Sequence, residues 1–181
     1  MSVKSFKTSG VGVDLAPQGL VLINTTSFSG VASQSVNDVF SATYTNYKII
    51  FKLEQPSGGT PNIRLRVSGA DNSTANSYGS NYTYVALSGG AGSGNGYFNG
   101  NYGTFNSSGN YQGSSGEIDL FDVFTTNMTR MTFTHTGVDG GNYYNWTGGI
   151  NHNQTVSYTG FTIYPSTATF TGSVSVYGYN K

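Results

Sequence analysis

Two stretches decide the fold: Tyr47-Lys48-Ile49-Ile50-Phe51-Lys52-Leu53 and Asn62-Ile63-Arg64-Leu65-Arg66-Val67-Ser68. In the first, Tyr47, Ile49, Phe51 and Leu53 share one parity, while Lys48 and Lys52 take the other. In the second, Ile63, Leu65 and Val67 alternate with Arg64 and Arg66. A period of two places one set on a core and the other in water, the signature of a half-buried strand. Between them, Glu54-Gln55-Pro56-Ser57-Gly58-Gly59-Thr60-Pro61 is a turn by composition, because Pro and Gly interrupt a ladder. The pair reads as a β-hairpin whose Lys and Arg side chains line a solvent face.

Working outward, the same pattern recurs. Leu20 to Thr25 and Gln34 to Phe40 precede the pair. Asn81 to Leu87, Glu117 to Phe124, Met128 to Thr136, Tyr143 to Trp146, Ser157 to Tyr164 and Thr169 to Tyr179 follow it. Asp139-Gly140-Gly141 and Pro165-Ser166 are turn signals. Glu117 to Thr136 runs without Gly or Pro, and its β-branched content predicts two strands around Thr125-Thr126-Asn127, with a short helical turn as the alternative. About nine short strands without a helical period predict an all-β, antiparallel sandwich, jelly-roll-like, over residues 20–181. Residues 1–19 read as an N-terminal arm.

Composition supports this class and removes several functions. Gly (26), Ser (23), Thr (22) and Asn (18) make up about half of the 181 residues. Eight basic and eight acidic residues cancel. Nucleic-acid binding through counterion release needs a basic excess, so no nucleic-acid partner is expected. No run reaches the roughly 18 apolar residues of a spanning helix, so membrane insertion is not expected either. Met1 to Gly12 has no apolar signal-peptide core, which points to synthesis in a cytoplasm. With no Cys, neither disulfides nor thiolate metal sites hold the fold.

Catalytic chemistry finds little material. No G-x-S-x-G elbow is present, and there are two histidines. His135 shares the parity of Met131 and Phe133 and reads as a core or rim residue. His152, in a polar stretch, reads as solvated. Glu117 and Asp119 fall opposite Ile118 and Leu120, which describes a solvent face better than a glycosidase pair. Asp71-Asn72-Ser73 starts like a calcium loop but lacks the closing Glu. No phosphate-binding glycine motif occurs. The reading is therefore non-enzymatic, with no cofactor and no metal.

Ser88 to Gly116 differs from the rest. It holds ten Gly, and no charge occurs from Asn72 through Gly116. It is expected to project from the sandwich as a long excursion. Tyr97, Phe98, Tyr102, Phe105 and Tyr111 would either pin it to the body or form a Tyr/Gly/Ser contact surface for a partner or a glycan. Arg64 and Arg66 are the matching candidates on the sheet face, and Phe6 and Lys7 in the arm, for contacts to a larger particle or a second subunit.

Val39-Phe40-Ser41-Ala42-Thr43-Tyr44-Thr45-Asn46-Tyr47-Lys48-Ile49-Ile50-Phe51, followed by Ile63-Arg64-Leu65-Arg66-Val67-Ser68-Gly69, resembles small β-rich virion proteins of tailed bacteriophages, particularly those of cyanophages and other aquatic phages. Phe170-Thr171-Gly172-Ser173-Val174-Ser175-Val176-Tyr177-Gly178-Tyr179 is similar to the closing strand of that group. The resemblance implies a location on the virion surface, as a head-decoration (cement) protein or a tail-fibre protein. It implies no catalytic motif. The partners it suggests are a second and third copy of the chain in a homotrimer, the major capsid protein or another virion protein, and a host surface glycan.

Overall fold

The computed structural model describes residues 19–55, 59–95, 100–105, 111–139 and 141–180, and within them every regular element is a strand. The thirteen strands are β1 (Leu20–Val31), β2 (Gln34–Val36), β3 (Asn46–Glu54), β4 (Pro61–Val67), β5 (Ala70–Asp71), β6 (Tyr78–Ala86), β7 (Ala91–Asn95), β8 (Gly103–Thr104), β9 (Tyr111–Phe121), β10 (Thr129–Asp139), β11 (Asn142–His152), β12 (Gly160–Pro165) and β13 (Phe170–Tyr179). Eight form one antiparallel sheet in the order β1-β13-β3-β9-β10-β11-β6-β7. The other sheet runs β2-β12-β4-β5, with β8 pairing beside β5 on the same edge of β4.

The jelly roll is visible in this order. β1, β13, β3 and β9 occupy the larger sheet, and β2, β12, β4 and β5 the smaller one. The chain crosses between sheets at β1–β2, β2–β3, β3–β4, β5–β6, β7–β8, β8–β9, β11–β12 and β12–β13. β10, β11, β6 and β7 extend the larger sheet sideways. The strand count exceeds nine because the short strands β5, β7 and β8 carry too few residues for an alternation to show.

One expectation is corrected. β3 and β4 do not pair as a hairpin: β3 lies between β13 and β9, and β4 bonds to β12 in the opposite sheet. Both strands turn one face inward, with Tyr47, Ile49, Phe51 and Leu53 meeting Ile63 and Leu65 in a common core. Facing sheets satisfy that demand, whereas a flat hairpin leaves both apolar faces on the same side, uncovered. The connection is fastened to the β12–β13 turn, where Thr60 N–H donates to Ser166 Oγ at 2.9 Å and Ser166 N–H to the Thr60 carbonyl at 2.9 Å. β4 instead forms a tight hairpin with β5, closed by Ser68 and Gly69 at φ 52° and 77°. Two left-handed residues in a two-residue loop match the right-handed twist of the strands they join.

The 88–116 segment is also corrected in part. It does not simply project. β7 joins the edge of the larger sheet, and the chain then returns to the sandwich, where β8 adds to β4 and lies against β6 and β11. Gly103 makes this approach possible, since a Cβ there would stand 2.6 Å from Ile150 Cγ2. Phe105 follows it into the core, 1% exposed, against Phe51, Phe133 and His135. The five-stranded sheet is too narrow to cover its partner, and this segment covers part of the remainder. Between β9 and β10 the chain turns at Asp122 to Met128 without helix, as its β-branched content predicts.

Candidate functional site

Both histidines are structural. His135 is 1% exposed and stacks on Trp146 with centroids 4.7 Å apart. Its Nε2 lies 2.6 Å from the Phe105 carbonyl, so Nε2 carries the proton and Nδ1 accepts from Ser114 Oγ at 3.0 Å. His152, expected in solvent, is fully buried, and that reading is corrected. Its Nδ1–H donates to the Ser77 carbonyl at 3.2 Å, and its Nε2 accepts from the Tyr158 hydroxyl at 2.5 Å. Tyr158 in turn accepts from Asn72 Nδ2, and Tyr78 stacks on the ring at 3.9 Å. His152 ends β11 on the inward parity of Trp146 and Ile150, which outweighs its polar sequence neighbours. Burial pushes both histidines down to about 4, and the carbonyl acceptors only partly offset it. Burial also pushes the Tyr158 hydroxyl up to about 12. Neutral, fully engaged imidazoles of this kind hold a core together and have no open face toward a substrate.

Lys48, Arg64 and Arg66 are also engaged by neighbours. Lys48 bridges Glu117 at 2.9 Å and Asp119 at 3.1 Å. Partial burial pulls Lys48 down, but the two carboxylates outweigh it and hold the ammonium above its ordinary value. Arg66 bonds Asp71, the Gly69 carbonyl, Asn37 Oδ1 and Thr162 Oγ1, locking the β4–β5 hairpin. Arg64 donates to the Asn101 carbonyl at 3.0 Å and lies 4.8 Å over the Tyr164 ring. Tyr102, 39% exposed, packs edge-on to Tyr164. Among the described residues no group of three or more His, Asp or Glu could hold a metal ion.

The expected contact residues therefore scatter. Phe105 belongs to the core and is withdrawn from the contact surface. Tyr102 and Arg64 meet on the smaller sheet, and Arg66 fastens its own hairpin. Tyr111 begins β9, its backbone paired with Asp139. Phe6, Lys7, Tyr97 and Phe98 lie outside the described residues.

The surface that sequence reasoning missed is the outer face of the larger sheet. Registers align one row across all eight strands: Thr25, Ser175, Ile50, Glu117, Thr134, Thr147, Thr83 and Ser93. Charges on this face concentrate on β3 and β9. The outward positions of β11 and β6 carry Thr, Asn, Gly, Tyr and Val alone. Two depressions open here. The larger, about 440 Å³, includes Lys52, Glu54, Ser115, Thr136, Asn145, Tyr143 and Leu87 in its lining. The smaller, about 260 Å³, is bordered by Asn81, Thr83, Ser93 and Thr147. Strand alternation marks each residue as outward, but only the sheet order makes them neighbours.

No family model and no curated protein sequence matches the chain. Among solved structures, the sucrose-6-phosphate hydrolase from Lactobacillus gasseri is similar over 83% of this chain, at 10% identity and a TM-score of 0.32. The chain spans 28% of that protein's length. A likeness of this size carries no argument about fold or activity.

Proposed function

We propose that the chain is a non-enzymatic structural protein of a tailed-phage virion, a decoration (cement) protein that stabilises the head at junctions between capsomers. The observation that supports the adhesive role is strand β1. The other strands at sheet edges are short: β7 has five residues, β2 three, and β5 and β8 two each. β1 has twelve, with no Lys, Arg, Asp, Glu or Pro, and exposes Leu20 (43%) and Leu22 (56%). Bulges near Ile23 and Ser29–Gly30 bend it, yet Asn24 to Phe28 remain in regular register. Proteins that stay free in solution shield such an edge with charge or proline. Among the described residues no strand pairs with the outer side of β1, and such an edge suits cover by a strand from another chain, held by main-chain hydrogen bonds.

The virion assignment rests on the resemblance carried by residues 39–51, 63–69 and 170–179. A homotrimer whose copies grip each other or the major capsid protein along β1 would resist internal pressure through buried contact area, about 25 cal/mol per Å² of apolar surface. The test uses heads from a phage lacking the gene. They are expected to release DNA at lower temperature than wild-type heads, and added protein should restore stability. Leu22→Lys with Thr25→Lys alters two exposed positions, so the variant should fold but fail to restore. Heads as stable without the protein as with it, or a few copies confined to the tail, would overturn the proposal.

A further inference from the structure

The larger depression is a built trough. It lies across β3, β9, β10 and β11 on the outer face. Lys52 and Glu54, paired at 3.0 Å, form one wall. Tyr143, 63% exposed, and Leu87, 72% exposed, form the other, joined where the Leu87 N–H donates to the Tyr143 carbonyl at 2.9 Å. The floor is made of short side chains. Ser115, Thr136 and Asn145 are consecutive cross-strand neighbours in one row, beginning beside Lys52. In the adjacent row Gly113 faces Val138, which faces Tyr143, and the missing side chain at Gly113 lowers the floor. At about 440 Å³ the space falls in the range of small-molecule sites.

We propose that this trough binds a neutral oligosaccharide of two or three sugar units laid across the strands. Three features select that chemistry. The floor presents a hydroxyl, a hydroxyl and an amide at the strand spacing of about 4.8 Å, close to the length of one sugar ring in an extended saccharide. An exposed aromatic ring at one end offers the face on which the apolar C–H side of a sugar packs. The two charges at the other end neutralise each other, so they can hydrogen-bond vicinal hydroxyls without attracting an ion. A nucleotide or an acidic peptide would meet no net positive charge here. The inference does not rest on the decoration role, because the trough lies on the outer face and β1 is the edge strand at the far side of β13 and β3.

The experiment is titration calorimetry with saturation-transfer NMR on the purified chain, using cellotriose, maltotriose and chitotriose, with a sialylated trisaccharide as the charged control. At least one neutral trisaccharide should bind in the micromolar to millimolar range. Tyr143→Ala and Asn145→Ala should each weaken it tenfold or more at unchanged melting temperature, since both side chains are exposed. Tyr102→Ala, an exposed tyrosine elsewhere, should bind as wild type. Absence of binding by the wild-type chain, a Tyr143→Ala variant that binds undiminished, or preference for the sialylated sugar would overturn the assignment. So would loss of head stabilisation in Tyr143→Ala, which would make the trough a capsid contact. Failure of the β1 variant to stabilise heads with saccharide binding intact would separate the two proposals.

Discussion

Acid should destabilise this protein through its two histidines, beginning well above the pH at which ordinary carboxylates titrate. His135 and His152 are buried and neutral, and burial lowers each from 6.5 to about 4. The unfolded chain, with ordinary imidazoles, binds protons that the folded chain refuses. Above pH 6.5 neither state is protonated at these rings and the full stability is present. Between 6.5 and 4 the unfolded state gains up to two protons, so stability falls with pH and the loss ends near the folded values. Each pKa unit is worth about 1.4 kcal/mol, so each histidine removes about 3–4 kcal/mol and the pair about 7 kcal/mol by pH 4. That is comparable to the whole stability of an average domain, about 5–15 kcal/mol. Urea unfolding between pH 7.5 and 5, followed by fluorescence of Trp146, tests this directly. The single tryptophan is 2% exposed and stacked on His135, so it reports core opening. The window stays above ordinary carboxylate values of about 3.9 and 4.3, isolating the histidines. His135→Gln and His152→Gln should each remove about half of the pH slope, whatever they do to absolute stability. A flat stability profile from pH 7.5 to 5, or imidazole NMR titrations centred near 6.5 in the folded chain, would refute the reasoning.

Two further outcomes test the packing. Phe105→Ala should lower unfolding free energy by about 3–5 kcal/mol, the cost of an emptied aromatic core site, while Tyr102→Ala three residues earlier should cost less than about 1 kcal/mol; equal urea midpoints for the two variants would contradict the plug role of residues 100–105. Gly160→Ala should cost about 1–3 kcal/mol in thermal unfolding, because its Cβ would stand 2.2 Å from the Val36 carbonyl, whereas Gly90→Ala, with its nearest neighbour at 4.0 Å, should melt close to wild type.

The strands were legible because alternation is local. Tyr47 to Leu53, Asn62 to Ser68 and Thr169 to Tyr179 each state which face is buried without reference to any other part of the chain. Their partners were not legible. Leu53 and Ile63 lie close in sequence and still belong to different sheets, because two apolar faces are better satisfied facing each other than side by side. His152 shows the same limit on a smaller scale: its neighbours Asn151 and Asn153 are polar, but its parity with Ile150 sends it inward. Phe105 reads from sequence either as a pin to the body or as part of a contact surface, because glycine and asparagine surround it, and the structure takes the first. Only the uncovered width of the larger sheet explains why its ring is needed inside.

What the sequence by itself determined is the all-β class, the positions of most strands, and a neutral surface rich in hydroxyl and amide groups. These follow from side-chain chemistry read at a period of two. The tertiary structure alone decided which outward residues stand together. Ser115, Thr136 and Asn145 come from three strands, Lys52 and Glu54 from a fourth, and they form one trough because register and sheet order align them. That β1 is an edge among the described residues is likewise a property of sheet order, since a strand is an edge only when no neighbour lies beyond it.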